Sequence, residues 1–323
     1  MRKLILDLDT GIDDALALAY ALGSPEVELV GVTATFGNVR VAQGAANALA
    51  LLDLLGHPEV PVYLGADRAL LADHEHVVPA PVARIHGRDG VGDAGLASSP
   101  REAAPDAEGF LLDAVRRWGD ELLYVPTGPL TNLARALSDD PGLAGGLRDV
   151  TLMGGALCVP GNVTPAAEAN LHNDPEAADQ VLRSGVPCRV VGLDVTHQVV
   201  LGRDRTAAWR ARGSEAGRVL ADMTDHYIGT YERNNPWMGG CALHDPLAVA
   251  CAIDPSLVGW LPIDLRVDLE GELRGRLIGR PERALAARKA CAAAVSVDAA
   301  RFLDEFVARV GRALDFAGSA SGR

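Results

Sequence analysis

Short runs rich in Leu and Val alternate along the chain with Ala-rich helical patterns, and no other feature of the sequence restricts its fold as strongly. That alternation is the signature of βαβ units and a largely parallel sheet. LILDLD (4–9) reads as a first strand, and Asp13 to Leu22 as a helix with two acids in its first turn and Gly23 as its stop. VELVGVTATFG (27–37) returns as a strand, Val41 to Leu55 as a helix closed by Gly56, and PVYLG (61–65) as another short strand. Between Ala66 and Gly109 the pattern fails: the segment is rich in His, Pro and Gly and has no periodicity. A stretch that long inside a compact domain is more often a functional loop than a linker.

Periodicity resumes with a helix before Gly119, a strand at 121–128, a helix from Pro129 and a strand at 149–155. DPEAADQVLRSG (174–185) predicts a helix with Pro at its first position, followed by a strand over 188–195. Helices are expected from Asp204 to Arg212 and from Ser214 to Tyr231, and 245–254 repeats the Asp-Pro helix start. The rest to Val297 reads as strands, before a last helix from Asp298 to about Leu314. The expectation is one α/β domain over 1–316, a mostly parallel central sheet flanked by helices, with a frayed tail over 317–323.

Composition narrows the partners. Against 30 Lys and Arg stand 43 Asp and Glu, a net charge of −13 that argues against nucleic acid. The opening MRKLILDLDTG meets Asp7 before a signal-peptide apolar region can form, and no later run is long enough to cross a bilayer, so a cytoplasmic protein without a membrane partner is expected. The cysteines, Cys158, Cys188, Cys241, Cys251 and Cys291, are odd in number and lack CxxC spacing. They read as reduced, mostly buried small hydrophobes.

The first strand ends in Asp7, Asp9, Asp13 and Asp14, four carboxylates in eight residues. Crowding them at a strand's carboxyl end costs repulsion unless a cation is present or some are protonated. Oxygen ligands at this density suit Ca²⁺ or Mg²⁺. The plainer account has Asp13 and Asp14 favouring a helix N-terminus while Asp7 and Asp9 bind backbone. Phosphatases of the haloacid dehalogenase type also open with a strand ending in DxDx[TV]. That pattern requires Thr or Val at Gly11, where Thr10 falls one position short, so it stands as the weaker enzyme alternative.

DLDTGIDDALAL resembles the DxDPGIDDAxAL opening of the nucleoside hydrolases, calcium-dependent enzymes that split the N-glycosidic bond of ribonucleosides. Four more motifs follow in that family's order: FGNV (36–39), VPTGPLTNLA (125–134), LMGG with GNVTPAAEANLHNDPEAA (152–155 and 161–178), and HDPLAVA (244–250). The resemblance spans residue 4 to about 255 and implies a Rossmann-like single domain and a homodimer or homotetramer. It assigns Ca²⁺ to Asp9, Asp14, Asp245 and the backbone carbonyl of Thr127, and the 2′ and 3′ side of the ribose to Asp13, Asn38 and Asn170. Asn162 and Glu168 are implied to hold the 5′-hydroxyl, with Met153 packing under the sugar.

For catalysis it implies a calcium-activated water with Asp9 as general base, and His244 as general acid for the departing base. His86, Tyr227 and Tyr231 are expected to face the base, whereas His74 and His76 read as solvated. Asp174, at the other Asp-Pro start, reads as an N-cap alone. The usual Pro after the second Asp is Thr10 here, and Ala169 stands where many members carry Phe, which leaves nucleobase preference open. The competing class is a non-catalytic calcium-dependent nucleoside binder, which could dispense with Asp9 or His244; this chain retains both.

Overall fold

Leu4, Ile5, Leu6 and Leu8 of the first strand are all buried, on both faces, as a strand in the middle of a covered parallel sheet must be. The computed structural model describes residues 1–148 and 150–320. Its strands are β1 (Arg2–Leu8), β2 (Val27–Ala34), β3 (Val62–Leu64), β4 (Leu122–Pro126), β5 (Val150–Met153), β6 (Cys188–Val191), β7 (Val200–Leu201), β8 (Cys241–Ala242), β9 (Val258–Pro262), β10 (Leu265–Val267), β11 (Leu277–Gly279) and β12 (Cys291–Val297). The helices of the first half are α1 (Ile12–Leu22), α2 (Val41–Leu54), α3 (Ala80–His86), α4 (Ala107–Trp118), α5 (Thr131–Asp139) and α6 (Leu143–Gly146). Those of the second are α7 (Ala169–Asn173), α8 (Pro175–Arg183), α9 (Leu193–Thr196), α10 (Arg203–Arg210), α11 (Glu215–Asn234), α12 (His244–Ile253) and α13 (Ala299–Ala320).

Eight strands form the main sheet in the order β3-β2-β1-β4-β5-β6-β12-β9. The pairs are parallel apart from β12 with β9, which run antiparallel. The chain therefore winds outward from β1 to β3 and returns to the other side of β1 as β4. The reversal opens a crevice beyond the carboxyl ends of β1 and β4, where ligands of open α/β sheets collect. Asp9 follows β1, and Thr127 follows β4.

Three expectations from the sequence change. The strand expected over 188–195 stops at Val191, because its parallel neighbour β5 ends opposite it at Met153. Beyond that point the ladder has no partner, and the chain turns into α9. The irregular stretch from 66 contains α3 and ends at Asp106, whose carboxylate caps α4 by accepting from Gly109 N. The last helix, expected to end at about Leu314, runs on to Ala320, with Phe302, Phe306, Val310, Leu314 and Ala317 buried at helical spacing. Asp149, where the strand over 149–155 was expected to begin, and Ser321 to Arg323 lie outside the described residues.

Four of the five cysteines are buried and all are free. Among the described residues no helix is long and apolar enough to cross a membrane.

Helix α13 closes over α1, stacking Phe306 on Tyr20 at 6.2 Å with the Arg309 guanidinium 5.0 Å from the centroid of the Tyr20 ring. The approach depends on Gly23, where a Cβ would fall 1.9 Å from the Arg309 carbonyl oxygen. Gly23→Ala should cost about 1–3 kcal/mol by forcing the two helices apart. Urea denaturation measures it, and an unchanged midpoint would show that the helices adjust freely.

Candidate active site

Two helix N-termini converge on the crevice. Helix α1 brings Asp13 and Asp14 in its first turn, and α12 brings Asp245 in its own, where backbone N–H groups favour negative charge. Ligand oxygens of Asp13, Asp14 and Asp245 lie within 4.8 Å of one another. Asp9 stands beside them against Asp14, oriented by Asn38, whose backbone N donates to Oδ2 at 2.9 Å and whose Nδ2 donates to Oδ1 at 3.0 Å. The Thr127 hydroxyl donates to Asp14 Oδ1 at 2.7 Å. The Thr127 carbonyl accepts from Asn170 Nδ2 at 2.6 Å and retains a second lone pair.

All four carboxylates are buried. Burial first, and repulsion among them next, push Asp9 and Asp245 well above the ordinary carboxylate range. Burial above all lifts Asp13 and Asp14 to about 6. Asp13 Oδ1 is buried with no hydrogen-bond partner, an open acceptor in a site already short of positive charge. A donor set made wholly of oxygens, with one of them unbonded, fits a hard divalent cation.

Asp7 does not join this cluster. Its Oδ1 accepts from Thr33 Oγ1 and Asn132 Nδ2, both at 2.7 Å, and its Oδ2 accepts from Tyr124 OH at 2.8 Å. With both oxygens taken and no exposed surface, it cannot serve as the nucleophile that the phosphatase reading requires. Of the four acids crowded in the sequence, Asp13 and Asp14 thus converge with Asp245, Asp9 stands beside them, and Asp7 clamps strands beneath.

The crevice holds a cavity of about 410 Å³. Asp13, Asn38, His86, Thr127, Met153, Asn162, Glu168, Asn170, Tyr227, Tyr231, His244 and Asp245 all line it, while Asp9 and Asp14 sit behind its wall. Glu168 caps α7, accepting from Asn170 N, Gly155 N and Leu171 N. Asn162 Oδ1 accepts from Ala169 N at 3.0 Å, which closes the loop over 162–169.

His86 Nδ1 accepts from Ile12 N at 3.2 Å, so its proton resides on Nε2, and burial lowers its pKa to about 4. Its ring lies 5.5 Å from that of Tyr227, which meets Tyr231 edge-on at 5.1 Å. The Tyr231 hydroxyl is 2.7 Å from His244 Nε2, and Thr196 Oγ1 is 2.7 Å from His244 Nδ1. Burial lowers the His244 pKa to about 3, so the imidazole rests neutral.

The sequence reading missed several residues. Thr196 and His197 lie where a strand was expected to end, and the break at Gly192 was the available signal. Val82, Ile85, Val163, Asn234 and Asn235 also line the cavity, outside any recognised motif. His76 is part-buried with Nε2 3.0 Å from the Gly37 carbonyl, so it is not solvated as expected. Asp174 caps α8 and also accepts from Leu70 N at 2.8 Å, pinning the long loop.

A buried acidic cluster under a cavity at the switch point of a parallel sheet is the arrangement of an α/β enzyme with a candidate metal site. The family model for inosine-uridine preferring nucleoside hydrolase matches residues 4–304. The chain belongs to that family. Its fold matches the structure of a purine-preferring ribonucleoside hydrolase from Gardnerella vaginalis with a TM-score of 0.95 and 52% identity, covering 97% of this chain and 100% of that one. It is 36% identical to the probable uridine nucleosidase 2 of Arabidopsis thaliana, over 85% of this chain and 84% of the relative. It is also 36% identical to the pyrimidine-specific ribonucleoside hydrolase RihA of Shewanella sp. (strain ANA-3), over 88% and 90%. The chain is thus an enzyme that hydrolyses the N-glycosidic bond of ribonucleosides, releasing free base and ribose.

The cluster also sets a pH dependence. In cation-free protein Asp13 and Asp14 titrate near 6 when folded and near 3.8 when unfolded, so the native state binds more protons between those values. Their contribution to stability is therefore present below about pH 4 and is lost as pH rises through about 6. Calorimetry should show Tm of the chelated protein falling over that window and a divalent cation restoring it. A Tm that ignores the cation at pH 7 would argue against a metal at the cluster.

Proposed function

We propose that the enzyme is calcium-dependent and prefers purine ribonucleosides, inosine among them, with Asp9 as general base and His244 as the source of the leaving-group proton. The observation that carries this reading is the Asp13, Asp14 and Asp245 trio at a cavity that is also lined by Val82, Ile85, Ala169 and the rings of Tyr227 and Tyr231. A ligand that is polyhydroxylated at one end and flat and aromatic at the other matches such a lining. Calcium, held by Asp9, Asp14, Asp245 and the Thr127 carbonyl, with Asp13 close enough to join, supplies Lewis acidity toward water and the ribose hydroxyls when bound.

The chain's own residues do the rest. Asp9, fixed by two hydrogen bonds from Asn38, accepts the proton of the water that attacks C1′. The buried carboxylates below the sugar favour the positive charge that develops as the C1′–N bond breaks. Asn170 is held by the Thr127 and Met153 carbonyls, which leaves its Oδ1 for the 2′ and 3′ side together with Asp13 and Asn38. Glu168 and Asn162 hold the 5′-hydroxyl, and Met153 lies under the ring. His86 and Tyr227 flank the base. Because His244 rests neutral, it can give a ring proton to the departing base only as the Tyr231 hydroxyl gives its own proton to the ring. The pair is then one proton short and regains it, through solvent, from the water proton that Asp9 has accepted.

Purine preference is supported by Ala169, which widens the base end of the cavity, and by the purine-preferring Gardnerella relative. A homodimer or homotetramer working in the cytoplasm completes the reading on family resemblance, and light scattering of the purified protein measures the stoichiometry. The preference itself is tested by kcat/KM for inosine and uridine, where inosine should be the better substrate.

Exhaustive chelation should abolish ribose release, and Ca²⁺ should restore it better than Zn²⁺, since the ligands are all oxygen. At saturating calcium Asp9→Asn should fold normally and lose about 10²–10⁴-fold in kcat, the usual cost of a missing general base. Turnover near the wild-type rate would move that role elsewhere.

His244→Ala should slow inosine and uridine far more than p-nitrophenyl riboside, whose phenolate leaves without a proton. Equal losses on both substrate types would instead mean that the neighbouring calcium ligand Asp245 had been disturbed.

A further inference from the structure

The hydrogen-bonding groups at the base end of the cavity are mostly committed. His86 Nδ1 accepts from Ile12 N, the Tyr227 hydroxyl points to Asp13, and both nitrogens of His244 meet hydroxyls. His197 differs. It lines the same cavity and is solvent-exposed, and among the described residues its ring nitrogens have no hydrogen-bond partner. Its ring stands edge-on to that of His244, 5.5 Å away at 67°.

The turn that carries this imidazole is tied down at several points. Helix α9 carries it, and Leu193 N, at the start of that turn, donates to the Gly155 carbonyl at 2.9 Å. Asp194 accepts from Leu157 N at 2.8 Å and Cys158 N at 2.7 Å, tying the turn to the segment after β5. The adjacent Thr196 hydroxyl meets His244 Nδ1. His197 thus stands next to His244 on the wall of the same cavity.

We infer that His197 is a specificity-determining residue that donates its ring N–H to the five-membered-ring edge of a purine, at N7. Resting on the hydrolase reading above, this deepens it by naming the group that tells one base class from the other. Every purine offers an acceptor at N7, whereas a pyrimidine offers only C–H on the corresponding edge, so an N–H there favours purines. A pyrimidine bound at the same place forgoes the bond that a purine gains.

The test is kcat/KM for inosine, adenosine and uridine in the wild type, His197→Ala and His197→Gln, with Ca²⁺ affinity and Tm measured alongside. His197→Ala should lower the inosine-to-uridine and adenosine-to-uridine ratios by about tenfold, the size of one hydrogen bond lost from the transition state. His197→Gln, which keeps an N–H donor, should recover part of the loss. Ca²⁺ affinity and Tm should stay at wild-type values, which a role in merely supporting His244 and Asp245 would not allow. The inference is overturned if the ratios move less than twofold, or if purines and pyrimidine fall together. Wild-type enzyme that released ribose from none of the three would overturn the hydrolase reading and this one with it. A wild type that favoured uridine would overturn only the purine preference, because His197 is judged on the change in the ratio.

Discussion

The mutual repulsion of four buried carboxylates is the constraint around which the rest of this molecule is arranged. Asp9, Asp13, Asp14 and Asp245 come from three separate stretches of chain and are all removed from water. Such a grouping is tolerable only with compensating positive potential or with some of the carboxyls protonated. Part of the compensation is built in, as the N-termini of α1 and α12 and the donors Asn38, Gly11 N and Thr127. The unbonded Asp13 Oδ1 leaves room for a proton or a cation to supply the rest.

Topology explains why these residues can meet at all. Because β1 has β2 on one side and β4 on the other, the loops after β1 and β4 separate in opposite directions and leave room between them. Asp7 fastens the underside of that opening, joining β1 to Thr33 on β2, Tyr124 on β4 and Asn132 on α5. Its carboxylate looks in the sequence like another ligand, and in the structure it keeps the ligand-bearing strand ends in place.

Much of the architecture was legible because local rules and tertiary packing agree here. The Leu- and Val-rich runs are the parallel strands, and Gly23 and Gly56 do close α1 and α2. Where the reading failed, the deciding contact was distant in sequence. Nothing in CRVVGLDV reports that β5 has ended opposite Val191, or that Asp194 will bond the backbone of Leu157 and Cys158. The extension of α13 past Leu314 brings Phe316 onto the His57 ring, 4.7 Å away, a contact between residues far apart in sequence. In the site, motif residues were legible as a set, whereas Thr196, His197 and Asn235 belong to it only through the three-dimensional closure of α9 and α11 around the cavity.

The capping role of Glu168 has a consequence for how enzymes of this kind can diverge. The carboxylate that lines the cavity also holds the first turn of α7, as Asn170 holds the Thr127 and Met153 carbonyls and Asn38 holds Asp9. Each contact at the floor is also a structural joint, so replacing it damages the fold and the chemistry together. Val82, Val163 and Ala169 at the other end line the cavity with side chains that make no hydrogen bonds. Sequence drift is therefore channelled: the hydrogen-bonded floor is held by its double duty, and substitutions at Val82, Val163 and Ala169 can reshape the cavity with little loss of stability.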